Sequence, residues 1–130
     1  MIVLDASAVV ELLLGLPRAA SVADRIADPD LSLHAPHLLG VETAQVVRRF
    51  VRAGVVTADR GAQALVDLVD LDVERHEHEP LLPRVWELRD SVTAYDATYL
   101  ALAEVLDAPL LTLDARLARS AGHTAAVELL

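Results

Sequence analysis

The chain has 130 residues, 54% of them hydrophobic and 24% charged, with a net charge of −9 and no cysteine. That length predicts a single domain spanning 1–130, burying about two thirds of its unfolded surface, and the composition excludes a disordered chain. The missing cysteines exclude a disulfide framework, a thiolate metal site and a cysteine nucleophile, and the acidity argues against a general nucleic-acid coat.

Short apolar runs alternate with longer stretches of helical period, the pattern of an α/β protein with a mainly parallel sheet. The first strand is expected at Ile2–Leu4. An acid follows it directly and no charged segment precedes it, so the start does not read as a signal peptide. Helices are expected over Ala8–Leu14 and Ala19–Asp28, separated by Gly15-Leu16-Pro17. A strand at Leu31–His34 leads to a helix over His37–Ala53, with Pro36 read as its start, where a missing N–H costs little, and Gly54 as its stop. Thr57 reads as the N-cap of a helix over Ala58–Leu71. Then come a strand at Asp72–Arg75, helices over Leu81–Asp90 and Tyr95–Leu106, and a strand at Leu110–Leu113 opened by Pro109. A helix over Ala115–Ala121 and a strand at Ala126–Leu129 complete the set of five strands. Helix pairs separate the early strands, enough chain for right-handed parallel crossovers. No apolar run approaches the roughly 20 residues of a membrane span, so a soluble protein is expected.

In an open sheet of this kind, ligands bind beyond the carboxyl ends of the strands, near the point where strand order reverses. Asp5 and Asp114 each directly follow a strand, Asp96 opens the helix that runs into the fourth strand, and Glu42 lies within the third helix. Each acid has an ordinary structural explanation. Asp5 and Asp114 suit helix caps, Thr93-Ala94-Tyr95-Asp96 resembles a capping box, and Glu42 can face solvent beside Gln45 and Arg49. Jointly they carry more weight, because parallel strands bring Asp5, Asp96 and Asp114 to one sheet edge. Carboxylates gathered there repel one another unless a cation joins them, and oxygen donors without Cys or His suit Mg²⁺ or Mn²⁺.

Four segments carry a family resemblance: Met1-Ile2-Val3-Leu4-Asp5-Ala6-Ser7-Ala8, Val41-Glu42, Thr93 to Ala103 (TAYDATYLALA), and Leu111-Thr112-Leu113-Asp114. In order and spacing, over nearly the full length, they resemble the signature segments of PIN domains, most closely the VapC-type toxins of bacterial toxin–antitoxin pairs. The resemblance implies a three-layer α/β/α sandwich on a five-stranded sheet and a metal-dependent ribonuclease in the cytoplasm. It implies catalytic acids at Asp5, Glu42, Asp96 and Asp114, with Ser7, Thr112 and Thr93 in support; for Thr93, capping is the favoured role. Asp5 and Asp96 would ligate Mg²⁺ or Mn²⁺ directly, Asp114 would hold a second ion or act through water, and Glu42 would position or deprotonate the attacking water. A homodimer and a VapB-type antitoxin whose basic segment enters the acidic site are implied as partners. The helices Ala19–Asp28 and Ala58–Leu71 offer apolar stripes for such contacts (Val22, Ile26; Leu65, Val66, Val69), although core packing is the commoner explanation for any one such stripe.

All eleven basic side chains are Arg. Arg48, Arg49 and Arg52 lie close together, and Arg116 and Arg119 follow Asp114; these are the candidate RNA contacts, with a solvated helix face as the alternative. Glu42, Gln45, Arg49 and Arg52 fall on one helical row by steps of three and four. Trp86 is read as core rather than as a base-stacking platform. A phosphorelay receiver would need a late lysine, and a haloacid-dehalogenase-like phosphatase a second aspartate where Ser7 stands. A zinc enzyme would need a histidine cluster, and His76-Glu77-His78 reads as solvent-facing strand-end residues. A PIN-like nuclease acting on DNA or single-stranded flaps and a non-catalytic PIN assembly module are the remaining alternatives.

Overall fold

The computed structural model describes residues 1–130. Five parallel strands form one sheet in the order β3-β2-β1-β4-β5: β1 Ile2–Leu4, β2 Leu33–Pro36, β3 Val73–His76, β4 Leu110–Thr112 and β5 Val127–Leu129. The chain first steps outward from β1 through β2 to β3, then returns to lay β4 on the other side of β1. Strand order therefore reverses between β1 and β4, and a crevice opens beyond their carboxyl ends.

Helices α1 (Ala6–Leu14), α2 (Ala19–Arg25), α3 (Leu38–Arg52) and α4 (Ala58–Asp70) connect the first three strands and cover one face. There Ile2, Leu4, Val9, Leu13, Val22, Leu39 and Leu68 form one core cluster. The other face carries a 3-10 turn (Glu79–Leu81), α5 (Leu82–Glu87), α6 (Ala94–Leu106) and α7 (Ala115–Ala118), with Val3, Tyr99, Leu100, Leu110 and Leu117 in a second cluster. Alternation along β1, with Val3 in one cluster and Ile2 and Leu4 in the other, follows from the two-residue period of a strand. The result is the α/β/α sandwich expected from the sequence. No single helix is long and apolar enough to cross a membrane.

Local chemistry sets the boundaries. Gly15 closes α1 in the left-handed region at φ 61°, and Asp107 does the same for α6 at φ 48°, a conformation that Asp tolerates better than most residues. Thr57 caps α4, accepting the Arg60 N–H. Gly61 lets α4 press on α3, since a Cβ there would meet Val51 Cγ2 at 2.9 Å.

Three expectations need correction. Pro36 ends β2 and does not start α3. His37 donates to the His76 carbonyl on the β3 side, so by alternation the missing N–H of Pro36 faces β1 beyond its last paired residue, where no ladder bond is lost. The helix expected over Leu81–Asp90 is a 3-10 turn followed by a short α5, because Pro80 and Pro83 lie near the starts of these two pieces. Trp86 is not core. It is 68% exposed, with the Arg89 guanidinium 4.8 Å from its ring centre, because Leu81, Val85 and Leu88 already fill the space beneath. Of the apolar stripes, Val22 is core, whereas Val66 and Val69 on α4 are exposed.

Candidate active site

Asp5 and Thr112 stand at the switch point between β1 and β4, and their side chains meet. The Asp5 carboxylate is 7% exposed and accepts three hydrogen bonds. Oδ1 takes the Ala6 N–H at 2.8 Å, so Asp5 caps α1. Oδ2 takes the hydroxyls of Ser7 and Thr112, both at 2.7 Å. Each hydroxyl also accepts a backbone bond: Ser7 Oγ from the Leu113 N–H across the strand ends at 2.9 Å, and Thr112 Oγ1 from the Asp114 N–H just after its own strand at 3.0 Å. The two strand ends are thus clasped through one carboxylate, and Ser7 and Thr112 orient Asp5.

Asp96 enters from the first turn of α6, whose N-cap is Thr93; its Oγ1 accepts the Asp96 N–H at 3.2 Å. Glu42 enters from α3 and is half-buried, not solvent-facing. Tyr99 donates its hydroxyl to Glu42 Oε2 at 2.6 Å. Asp114 caps α7 and pairs with Arg116 at 3.1 Å.

The protonation equilibria report which acids feel one another. Burial pushes Glu42 above the usual carboxyl range, and the charges of Asp5 and Asp96 push it further. Tyr99 and Arg49 pull it back part of the way. Burial also raises Asp96, with Asp5 and Asp114 adding to it and Arg116 opposing. For Asp114 burial acts upward but is outweighed by Arg116 and backbone N–H groups, so this carboxyl sits below its ordinary range. Tyr99, buried against Glu42, is held firmly as a neutral phenol. The four acids therefore form one electrostatic unit, assembled from segments up to 109 residues apart.

Their donor set of carboxylates and hydroxyls, with no imidazole or thiolate among them, fits a hard divalent cation such as Mg²⁺ or Mn²⁺. Asp5, Glu42 and Asp114 are each oriented by a donor of their own, whereas the trio whose ligand atoms all lie within 4.8 Å of one another is His34, Glu74 and His76, elsewhere on the sheet. Beside the acids a cleft of about 510 Å³ is bordered by Arg89, Thr93, Asp96, Arg116 and Ser120. Of the α3 arginines, Arg49 is the one whose charge reaches Glu42, whereas Arg48 and Arg52 line a groove against α4.

Tyr99 is the site residue whose partner sequence reasoning missed. Its three-residue step from Asp96 places it on the same helix face, but its bond to Glu42 joins positions 57 residues apart.

A PIN-domain sequence profile matches residues 2–122. The chain is 42% identical over 129 residues to Ribonuclease VapC12 of Mycobacterium tuberculosis, covering 99% of this chain and 98% of that one. It is 41% identical over 128 residues to Ribonuclease VapC1 of the same organism, covering 98% and 96%. Its fold matches that of M. tuberculosis VapC20, described as a sarcin-ricin loop cleaving toxin, at a TM-score of 0.72 and 17% identity, over 95% of this chain and 97% of that one. By profile and by near full-length identity, the chain belongs to the PIN-domain family, in its VapC-type branch.

Proposed function

We propose that this protein is the toxin of a type II toxin–antitoxin pair, an endoribonuclease that uses Mg²⁺ or Mn²⁺ to hydrolyse phosphodiester bonds in structured RNA and so inhibit translation in the cytoplasm. The observation that carries the reading is the convergence of Asp5, Glu42, Asp96 and Asp114 on the switch-point crevice, with Glu42 and Asp96 electrostatically coupled to Asp5. Kinship with chains named ribonucleases supports RNA as the substrate class.

Asp5 and Asp96 would hold the ion, with Asp114 in reach of a second ion or of bound water. When bound, such an ion lowers the pKa of a ligated water and neutralises charge on the phosphate. The chain's own groups do the rest. Glu42, raised above the ordinary carboxyl range, is the better base for it; Tyr99 ties down Oε2 and leaves Oε1 to take a proton from the attacking water. Water oxygen bonds to phosphorus, the bond to the 3′ oxygen breaks, and that oxygen takes up a proton, leaving a 5′-phosphate and a 3′-hydroxyl. Ser7 and Thr112 hold Asp5 in place. Arg116 and Arg89 border the cleft beside Asp96, where they can meet phosphate oxygens, and Arg49 lies on the approach past Glu42.

An antitoxin with a basic segment complements the acidic crevice. The exposed Val66 and Val69 of α4 and Val41 of α3 provide apolar surface for antitoxin or homodimer contacts.

The test is cleavage of RNA and DNA by the parent and Asp5→Asn proteins, in Mn²⁺ and in EDTA. RNA cleavage that needs the metal and Asp5 is expected. An Asp5→Asn protein that cuts RNA as fast as the parent would refute the assignment, and preferential DNA cleavage would favour the flap- or DNA-directed alternative.

A further inference from the structure

Four of the five histidines, His34, His37, His76 and His78, gather where β2 meets the edge strand β3, away from the carboxylate crevice. The parallel register sets His34 beside Glu74, and His76 follows Glu74 by two residues, so all three project from one face of the sheet. His34 Nδ1 and His76 Nε2 face each other at 2.9 Å. Glu74 lies over the same point, with Oε2 3.6 Å from His34 Nδ1 and Oε1 3.9 Å from His76 Nε2.

We propose that His34, Glu74 and His76 form a zinc site that clamps the edge strand β3 onto β2, with a water or other small ligand in the fourth position. Around tetrahedral Zn²⁺, with bonds near 2.0–2.1 Å, ligand atoms stand roughly 3.3–3.4 Å apart. The two nitrogens stand slightly closer than that, and each Glu74 oxygen approaches a different nitrogen, so an ion requires the nitrogens to part slightly and Glu74 to turn one oxygen towards both, within reach of the partly exposed His76 and exposed Glu74. Coordination needs both facing nitrogens bare, with the ring protons on His34 Nε2 and His76 Nδ1. The His34 proton has its acceptor in place: Ser32 Oγ lies 2.9 Å from Nε2, the outer-shell partner that metal-bound imidazoles usually have. His34 is 4% exposed, so its ring is fixed in place within the sheet. Two imidazoles and one carboxylate select a borderline cation over Mg²⁺, so this site and the all-oxygen crevice differ in metal preference. The clamp also bears on α3, because the His37 N–H that begins the turn into that helix donates to the His76 carbonyl at 2.8 Å.

The experiment uses the untagged, metal-free chain in excess Mg²⁺, which fills the carboxylate crevice, and titrates Zn²⁺ by calorimetry and Co²⁺ by visible absorption. One Zn²⁺ per chain, tetrahedral Co²⁺ bands and a raised melting midpoint are expected. His76→Gln and Glu74→Gln, at positions open enough to preserve the fold by circular dichroism, should each weaken Zn²⁺ binding at least about tenfold, since loss even of an outer-shell partner costs that much. Asp5→Asn should leave Zn²⁺ binding intact. Absence of Zn²⁺ binding in the presence of Mg²⁺, parental affinity in His76→Gln, or loss of binding in Asp5→Asn would each overturn the site.

Discussion

Replacing Thr112 by Val keeps the shape of a fully buried side chain and deletes one hydroxyl. That hydroxyl donates to Asp5 Oδ2 at 2.7 Å and accepts the Asp114 N–H at 3.0 Å. A hydrogen bond to a charged acceptor contributes about 1.5–3 kcal/mol, and stranding a part-buried N–H costs about 1–3 kcal/mol. Local relaxation recovers some of this, so a loss of about 3 kcal/mol is expected, a large effect for a substitution that removes no volume. For a chain of this size that lowers the melting midpoint by roughly 10 °C. Thr112→Ser retains both bonds and loses one methyl, costing about 1 kcal/mol. Urea unfolding in EDTA, followed by circular dichroism, measures the contrast. RNA cleavage in Mn²⁺ reads its functional side: with Asp5 Oδ2 held by Ser7 alone, a displacement approaching an ångström lowers kcat/KM on the order of 100-fold. If the Val and Ser proteins were equally stable and equally active, the hydroxyl clasp would not be what positions Asp5.

In EDTA, Glu42 and Asp96 should each contribute less stability as pH rises, opposite in sign to Glu104, Asp114 and Glu128, whose carboxyls sit below their ordinary range. Glu42 and Asp96 both have raised carboxyl pKa values in the fold, first through burial and then through neighbouring carboxylates. Between the unfolded value near 4 and the raised folded values, these two groups bind more protons in the native state, so their contribution to stability declines across that interval. Relative to the parent, Glu42→Gln should gain stability as pH rises through that interval, and saturating Mn²⁺ should raise the unfolding midpoint more at neutral than at acid pH; a stability difference between the two proteins that does not change with pH would contradict the coupling. Tyr99→Phe removes the 2.6 Å bond to Glu42, which should cost about 1.5–3 kcal/mol in urea unfolding. Because that bond holds the Glu42 pKa down, the acid limb of the pH–rate profile should move upward, and an unmoved limb would remove Glu42 from the base role. Arg49→Glu should weaken RNA binding and flatten its salt dependence, whereas an unchanged salt slope would mark Arg49 as an ordinary solvated residue.

The succession of strands and helices along the chain follows from features that are local in the sequence: apolar runs of strand length, caps such as Thr57 and stops such as Gly15 and Asp107. The acids at strand ends were legible for the same reason, since being next to a strand is a property of neighbours in the chain. What stayed hidden depends on register. The His34–Glu74–His76 trio exists because β2 and β3 align His34 with Glu74, and nothing within the run His76-Glu77-His78 points to residue 34. Trp86 departs from the expectation that a lone large aromatic is buried. Here the α5 surface facing the sheet is already supplied by Val85 and Leu88, and the indole is left outside beneath Arg89.

The opposing explanations of the acids, helix caps or catalytic groups, turn out to be compatible. Asp5 caps α1 and Asp114 caps α7, while Asp96 lies in the first turn of α6. A helix N-terminus presents unpaired N–H groups and partial positive charge, which favours a carboxylate placed there. The long α6 and the nine-residue α1 both begin at the switch-point crevice, so backbone dipoles offset part of the repulsion that clustering carboxylates creates. Glu42 has no such support. It lies inside α3 rather than at its start, and its partners are a tyrosine hydroxyl and the more distant Arg49. The fold thus separates the acids by environment: Asp5 is held by a helix start and two hydroxyls, whereas Glu42 is left with a raised proton affinity. That division matches a ligand on one side and a proton acceptor on the other.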